Sequence, residues 1–175
     1  MCKIYGIEAG KNCHVGINVK VSKWGGVKMK DNVQISNNSL FLLVASKAQI
    51  EIGSNCRLAH HLQISCASKV IVKDNVNMAP FVFISDHNHE YRNVDVPILN
   101  QGIMMNENDC TIIDEGTWIG TKSTIIGNVR IGKHCVIGAN SVVTKDIPDY
   151  SVVVGMPAKV IKRYNFETKQ WEKVN

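Results

Sequence analysis

The sequence predicts an all-β fold in which short strands wind into about seven triangular coils, interrupted by one long extruded loop and followed by a short C-terminal tail. Three observations predict it. The first is a period of six: from Ile113 the chain reads IDEGTW, IGTKST, IIGNVR, IGKHCV, IGANSV, VTKDIP, and an aliphatic residue opens every block. The second is what fills the other places. Gly10, Gly16, Gly53, Gly120, Gly132 and Gly138 take the second place, and Asn12, Asn18, Asn32, Asn38, Asn55, Asn75, Asn128 and Asn140 the fourth. Glycine permits close approach of neighbouring chain, and Asn tolerates the left-handed backbone of a tight corner. The third is that six fits neither the 3.6-residue period of an amphipathic helix nor plain alternation, so short strands joined at regular corners account for it best. An ordinary β-sandwich would have to produce six consecutive in-frame blocks by coincidence.

Taken in order, the frame enters near residue 9 and runs through AGKNCH-VGINVK, MKDNVQ-ISNNSL, IGSNCR-LAHHLQ and VKDNVN-MAPFVF before the blocks already quoted. Three sides of six residues make one coil, and successive coils stack as parallel strands about 4.8 Å apart. First-place aliphatics then point inward, and fifth-place residues such as Cys13, Cys56 and Cys135 are small because they share that interior. Residues 22–28 and 41–51 lengthen two coils, as bulged corners. The large break, residues 86–110, is a polar excursion of a length usually found at functional loops. After Met156-Pro157 the repeat ends; 158–163 reads as a final strand and 164–175 as a tail over the coil end, so the coiled domain spans 1–163.

Composition narrows the function. Twenty Lys and Arg against fifteen Asp and Glu give +5 over 175 residues, with 45% hydrophobic residues, which suits a packed chain rather than a disordered one. The lysines are scattered, without the basic stripe of a nucleic-acid binder. No apolar run approaches the roughly 20 residues of a spanning helix, so no membrane insertion is expected. No signal peptide is read at the N-terminus, and a cytoplasmic location is expected. The six cysteines lack a C-x-x-C pair and are expected to be reduced, small core residues.

The candidate chemistry sits where the excursion opens, at Ser85-Asp86-His87-Asn88-His89-Glu90-Tyr91. An imidazole at the junction of rigid coil and open loop is suited to general-base work near neutral pH. His87 follows the last in-frame residues directly, and His89 is its rival. Asp86 and Glu90 carry carboxylates that either orient an imidazole or bind hydroxyls of an acceptor; Tyr91 and Arg92 face the same side. A metal site built on Asp86, His87 and His89 is the reading from a different class.

The hexapeptide blocks resemble those of the left-handed parallel β-helix acyltransferases. ISDHNHEY, VPILNQG and TIIDEGTWIG together are similar to the signature of the sugar and polysaccharide O-acetyltransferase branch, which includes the maltose and galactoside enzymes. The resemblance, and not the periodicity, implies the left hand; the usual crossover rule favours the other. It implies acetyl-CoA as donor, a carbohydrate hydroxyl as acceptor, no required metal and a homotrimer. It further implies His87 as the base, Trp118 beside the thioester, and Asp86, His89 and Tyr91 toward the acceptor. The donor would lie along Gly120, Thr121, Gly138, Ala139, Thr144 and Lys145, with Lys159, Lys162 or Arg163 reaching its phosphates. Same-class alternatives are a streptogramin-type antibiotic O-acetyltransferase and a serine acetyltransferase-like enzyme, the latter disfavoured because coils begin by residue 9 where that family carries a helical domain. The carbonic anhydrases on this helix need histidines spaced H-x4-H, which this chain lacks.

Overall fold

The computed structural model describes residues 2–4, 6–104, 106 and 109–174, and of residues 2–4 only the backbone. Met105, Glu107 and Asn108 of the long loop therefore lie outside the described residues. The chain is a left-handed parallel β-helix of six complete coils and a partial seventh. The first side carries seven strands, the second nine and the third six. Ile7 pairs with Val27, Val27 with Ile50, Ile50 with Val70 and Val70 with Thr111, all in parallel register.

Inward-facing residues show why the sequence folds this way. Each coil contributes three, six residues apart: Ala9, Val15, Val21; Met29, Ile35, Phe41; Ile52, Leu58, Ile64; Val72, Met78, Ile84; Ile113, Ile119, Ile125; Ile131, Ile137, Val143. Side chains of like shape stack rung on rung, and burying each stabilises the coil by about 1.5–3 kcal/mol. The small fifth-place residues add buried hydrogen bonds between rungs: Thr117 Oγ1 donates to the Gly132 carbonyl at 2.9 Å, and Ser123 Oγ to that of Gly138 at 3.0 Å. The step from the last inward residue of one coil to the first of the next is 8, 11, 8, 29 and then 6 residues. Every insertion therefore falls on a single prism edge, between the third and first sides. The two lengthened corners at 22–28 and 41–51 are there, as is the loop. A third insertion, Ala67-Ser68, breaks the frame at the same edge; the signal for it was the eight-residue step from Ile64 to Val72.

At the other two edges the chain turns through left-handed residues. Asn12, Asn18, Asn32, Asn38, Asn55, Asn75 and Asn140 all have φ between 53° and 60°. Asn32 donates an amide hydrogen to Asn55 Oδ1 at 3.1 Å, and Asn18 to Asn38 at 2.9 Å, so side chains ladder up the edge. Asn128 departs from this expectation: it sits on the insertion edge, where Gly127 (φ +89°) makes the turn instead. The C-terminus also differs from a tail over the coil end. Ser151–Gly155, Ala158–Asn165 and Gln170–Lys173 form an antiparallel meander that extends the second side. Aromatic contacts among Tyr150, Tyr164, Phe166 and Trp171 hold it there, with ring centroids 4.9–5.4 Å apart.

Candidate active site

The strand Phe83–Ser85 ends the fourth coil on the insertion edge, and the two residues that follow form a dyad. Asp86 is 1% exposed. A buried carboxylate must be paired or neutralised, and Asp86 is fully engaged. Its Oδ1 accepts the Ala67 N–H at 2.7 Å, and its Oδ2 accepts the Ser68 N–H at 2.8 Å. Both donors belong to the two-residue insertion of the coil before. Oδ1 also lies 2.9 Å from Nδ1 of His87. At this distance an Nδ1–H can donate to the carboxylate, the tautomer in which Nε2 keeps its lone pair. The imidazole is 9% exposed, held at Nδ1, and His87 is among the residues that line a cavity.

That cavity, about 360 Å³, is lined by His87, Asn88, Glu90, Arg92, Met104, Asn106, Asp109 and Asn128, among others. Its floor is the insertion edge of the fifth coil, where the Gly127 N–H donates to the Ser85 carbonyl at 2.8 Å. Its wall is the hairpin of the long loop, where Asn88-His89 pairs antiparallel with Ile103-Met104. Glu90 braces that wall: its carboxylate accepts the backbone N–H groups of Tyr91 and Arg92, both at 3.0 Å, and pairs with the Arg92 guanidinium. The side-chain hydrogen bonds from Arg92 hold the Glu90 carboxyl down at about 2. The lining is mostly polar, with amides, carboxylates, the Arg92 guanidinium and the His87 imidazole beside Ile103 and Met104, which suits a ligand rich in hydroxyl groups.

The other expected site residues fall as follows. Asp86 is buried and hydrogen-bonded to His87 and the Ala67-Ser68 corner, and it borders the same cavity. His89 is exposed on the hairpin between Asn88 and Glu90 and is not among the cavity-lining residues, as alternation along a strand dictates. Tyr91 is exposed and lines a separate recess at the loop tip with Asn93, Val94 and Ile98. Trp118, 48% exposed, stands on the outer face of the second side, paired with Asn77 and Val136. One chain therefore does not bring Trp118 and His87 together. Gly120, Thr121, Gly138 and Ala139 form the corners between second and third sides, where a Cβ on Gly120 would lie 2.6 Å from the Ala139 nitrogen. Thr144 and Lys145 are exposed on the insertion edge, two coils beyond His87. Lys159 and Arg163 are exposed on the meander, where Arg163 stands opposite Glu172 in the strand register. Among the described residues, no group of three or more His, Cys, Asp or Glu is arranged to hold a metal ion.

Comparison with known proteins gives one family, and relatives that include galactoside and serine acetyltransferases. Residues 110–145 match the family described as bacterial transferase hexapeptide (six repeats). That span holds Trp118, Gly120, Thr121, Gly138, Ala139, Thr144 and Lys145, and leaves out His87. WbbJ of Escherichia coli (strain K12), named for lipopolysaccharide biosynthesis O-acetyl transfer, is 41% identical over 100 residues, covering 55% of this chain and 51% of that protein. The chain thus spans about half the length of that relative. A galactoside acetyltransferase solved in complex with coenzyme A superposes with a TM-score of 0.70 at 30% identity, over 86% of this chain and 72% of the other. A maltose O-acetyltransferase from Clostridium difficile 630 gives 0.59 at 29% identity, over 89% and 68%.

Proposed function

Because the chain belongs to the hexapeptide-repeat acyltransferases, we propose that it transfers an acetyl group from acetyl-CoA to a hydroxyl of a carbohydrate. The observation that carries this reading is the Asp86–His87 dyad beside a polar cavity at a prism edge. His87 takes the proton of the acceptor hydroxyl at Nε2 as the oxygen attacks the thioester carbonyl. The imidazolium so formed is stabilised by Asp86. The tetrahedral intermediate collapses with loss of the CoA thiolate, which takes up a proton, and the acetyl group remains on the sugar oxygen. No acyl-enzyme is needed.

Trp118, the Gly120-Thr121 and Gly138-Ala139 corners, and the Thr144-Lys145 segment form the donor side, with Lys159 and Arg163 toward the phosphates. These groups lie on different faces of one prism, which supports a site completed between copies of the chain, as in a homotrimer. The outer third side carries the partly buried Leu40, Leu42, Phe83, Ile126 and Val142, an apolar face suited to such packing. The experiment is thiol release from acetyl-CoA across a panel of mono- and oligosaccharides. Release above the hydrolysis background with at least one sugar, and an acetylated product by mass, is expected. Release with none of them, or only with serine or an antibiotic hydroxyl, removes the carbohydrate assignment.

A further inference from the structure

The third insertion on the loop edge has a partner that the dyad alone does not explain. Cys66 ends the third-side strand Gln63–Cys66, is fully buried, and stands immediately before the Ala67-Ser68 corner. Its Sγ lies 3.4 Å from Asp86 Oδ2 and 3.3 Å from the Gln49 carbonyl oxygen. The thiol has one hydrogen and two acceptors in reach, and the ionised carboxylate is the stronger of the two. Burial, reinforced by the Asp86 charge, pushes the Cys66 thiol up, so it remains a donor. Three consecutive residues, 66 to 68, thus surround one carboxylate with a thiol and two amide N–H groups, from a coil eighteen to twenty residues earlier in the chain.

We propose that Cys66, with the Ala67-Ser68 insertion, is a positioning element of the site: it fixes the Asp86 carboxylate in the one orientation that keeps the proton on His87 Nδ1 and leaves Nε2 unprotonated. The inference rests on the general-base reading of His87, and it goes beyond that reading by assigning function to a buried residue that touches no substrate. The physical reason is that a carboxylate held only by its two backbone donors still has a free lone pair on Oδ2 in a dry site. Anchoring that lone pair stops the group rotating its Oδ1 away from the imidazole. Here the frame break and the buried sulphur serve the same atom.

The test uses Cys66→Ala and Cys66→Ser in the full chain, with two readouts. Nitrogen-15 histidine spectra report the tautomer of His87, and steady-state kinetics report kcat separately from the two KM values. The wild type is expected to show Nδ1–H with Nε2 unprotonated. Cys66→Ala is expected to populate the other tautomer and to lower kcat roughly three- to tenfold with both KM values unchanged. Cys66→Ser, which keeps a donor, is expected to restore the tautomer and most of the rate. A wild-type tautomer in Cys66→Ala overturns the proposal, as does a Ser variant that folds but behaves like Ala, since packing alone would then explain the residue. Should Cys66→Ala not fold, an Nε2–H tautomer in the wild type overturns it by itself. A tautomer that shifts as expected in a protein acetylating no sugar upholds the positioning role and removes the transferase reading instead.

Discussion

Asp86 illustrates what single residues disclose. Its neighbour His87 is legible as a candidate base because an imidazole stands where the hexad frame gives way to a polar loop. The role of Asp86 is not, because its partners Ala67 and Ser68 are 19 and 18 residues away and meet it only once the coils stack. A carboxylate beside an open loop reads as solvated or acceptor-facing; in the structure it is 1% exposed and hydrogen-bonded to His87 and the Ala67-Ser68 corner. His89 is a related case, since alternation along the loop hairpin leaves it exposed and out of the cavity lining that Asn88 and Glu90 share. Glu90 gives a prediction at this scale. Its carboxyl, ordinarily near 4.5, is held at about 2 chiefly by hydrogen bonds from the Arg92 side chain. The folded value is depressed, so the contribution of Glu90 to loop order is present above its ordinary value and is lost as pH falls through about 2. Carbon-13 titration of the Glu90 carboxyl should show a midpoint near 2, and Arg92→Ala should return it toward 4.5. An ordinary midpoint in the wild type would mean that the brace does not form in solution.

Among elements, the corners carry the most information. The edges built on Asn are readable because left-handed backbone selects that residue, and seven of the eight fourth-place Asn residues adopt it. The third edge is readable only as a set of frame breaks. Those at 22–28, 41–51 and 86–110 stand out by length, whereas Ala67-Ser68 hides because two extra residues leave the flanking blocks intact. In the meander after Gly155 the strand Ala158–Asn165 keeps an alternating burial and is readable over 158–163, whereas Gln170–Lys173 is exposed on both faces, which erases alternation. Corner glycines supply a stability test away from the proposed chemistry. A Cβ on Gly53 would lie 2.3 Å from Asp74 Oδ1 and 2.6 Å from the carbonyl carbon of Lys73. The backbone of the next rung cannot yield cheaply there, so Gly53→Ala should cost about 1–3 kcal/mol in denaturant unfolding and leave the specific activity of the folded protein unchanged. Full stability in that variant would show that neighbouring rungs are not packed this closely.

For the whole molecule, a solenoid binds each coil only to its neighbours, so residues far apart on the perimeter of one prism have no way to meet. His87 on the insertion edge and Trp118 on the second side are such a pair. If a homotrimer completes the site between copies, two inactive variants should rescue each other. Mixing equal amounts of His87→Ala and Trp118→Ala chains through unfolding and refolding should recover about a quarter of wild-type activity, the share of random interfaces that combine an intact histidine with an intact tryptophan. No recovery above the separate variants would place both residues in one chain's site, or remove Trp118 from it. The six-residue frame made the solenoid legible because its core depends on a local pattern, while assembly depends on surfaces that carry no period.

All of these readings meet at one nitrogen atom. The direct measurement is acetyl transfer by His87→Ala to whichever sugar the wild-type protein modifies, with acetyl-CoA binding followed by calorimetry on the same preparation. Loss of the base should lower kcat by a factor on the order of 10² to 10⁴, with donor affinity and thermal unfolding unchanged. Transfer at the wild-type rate by that variant would contradict the account.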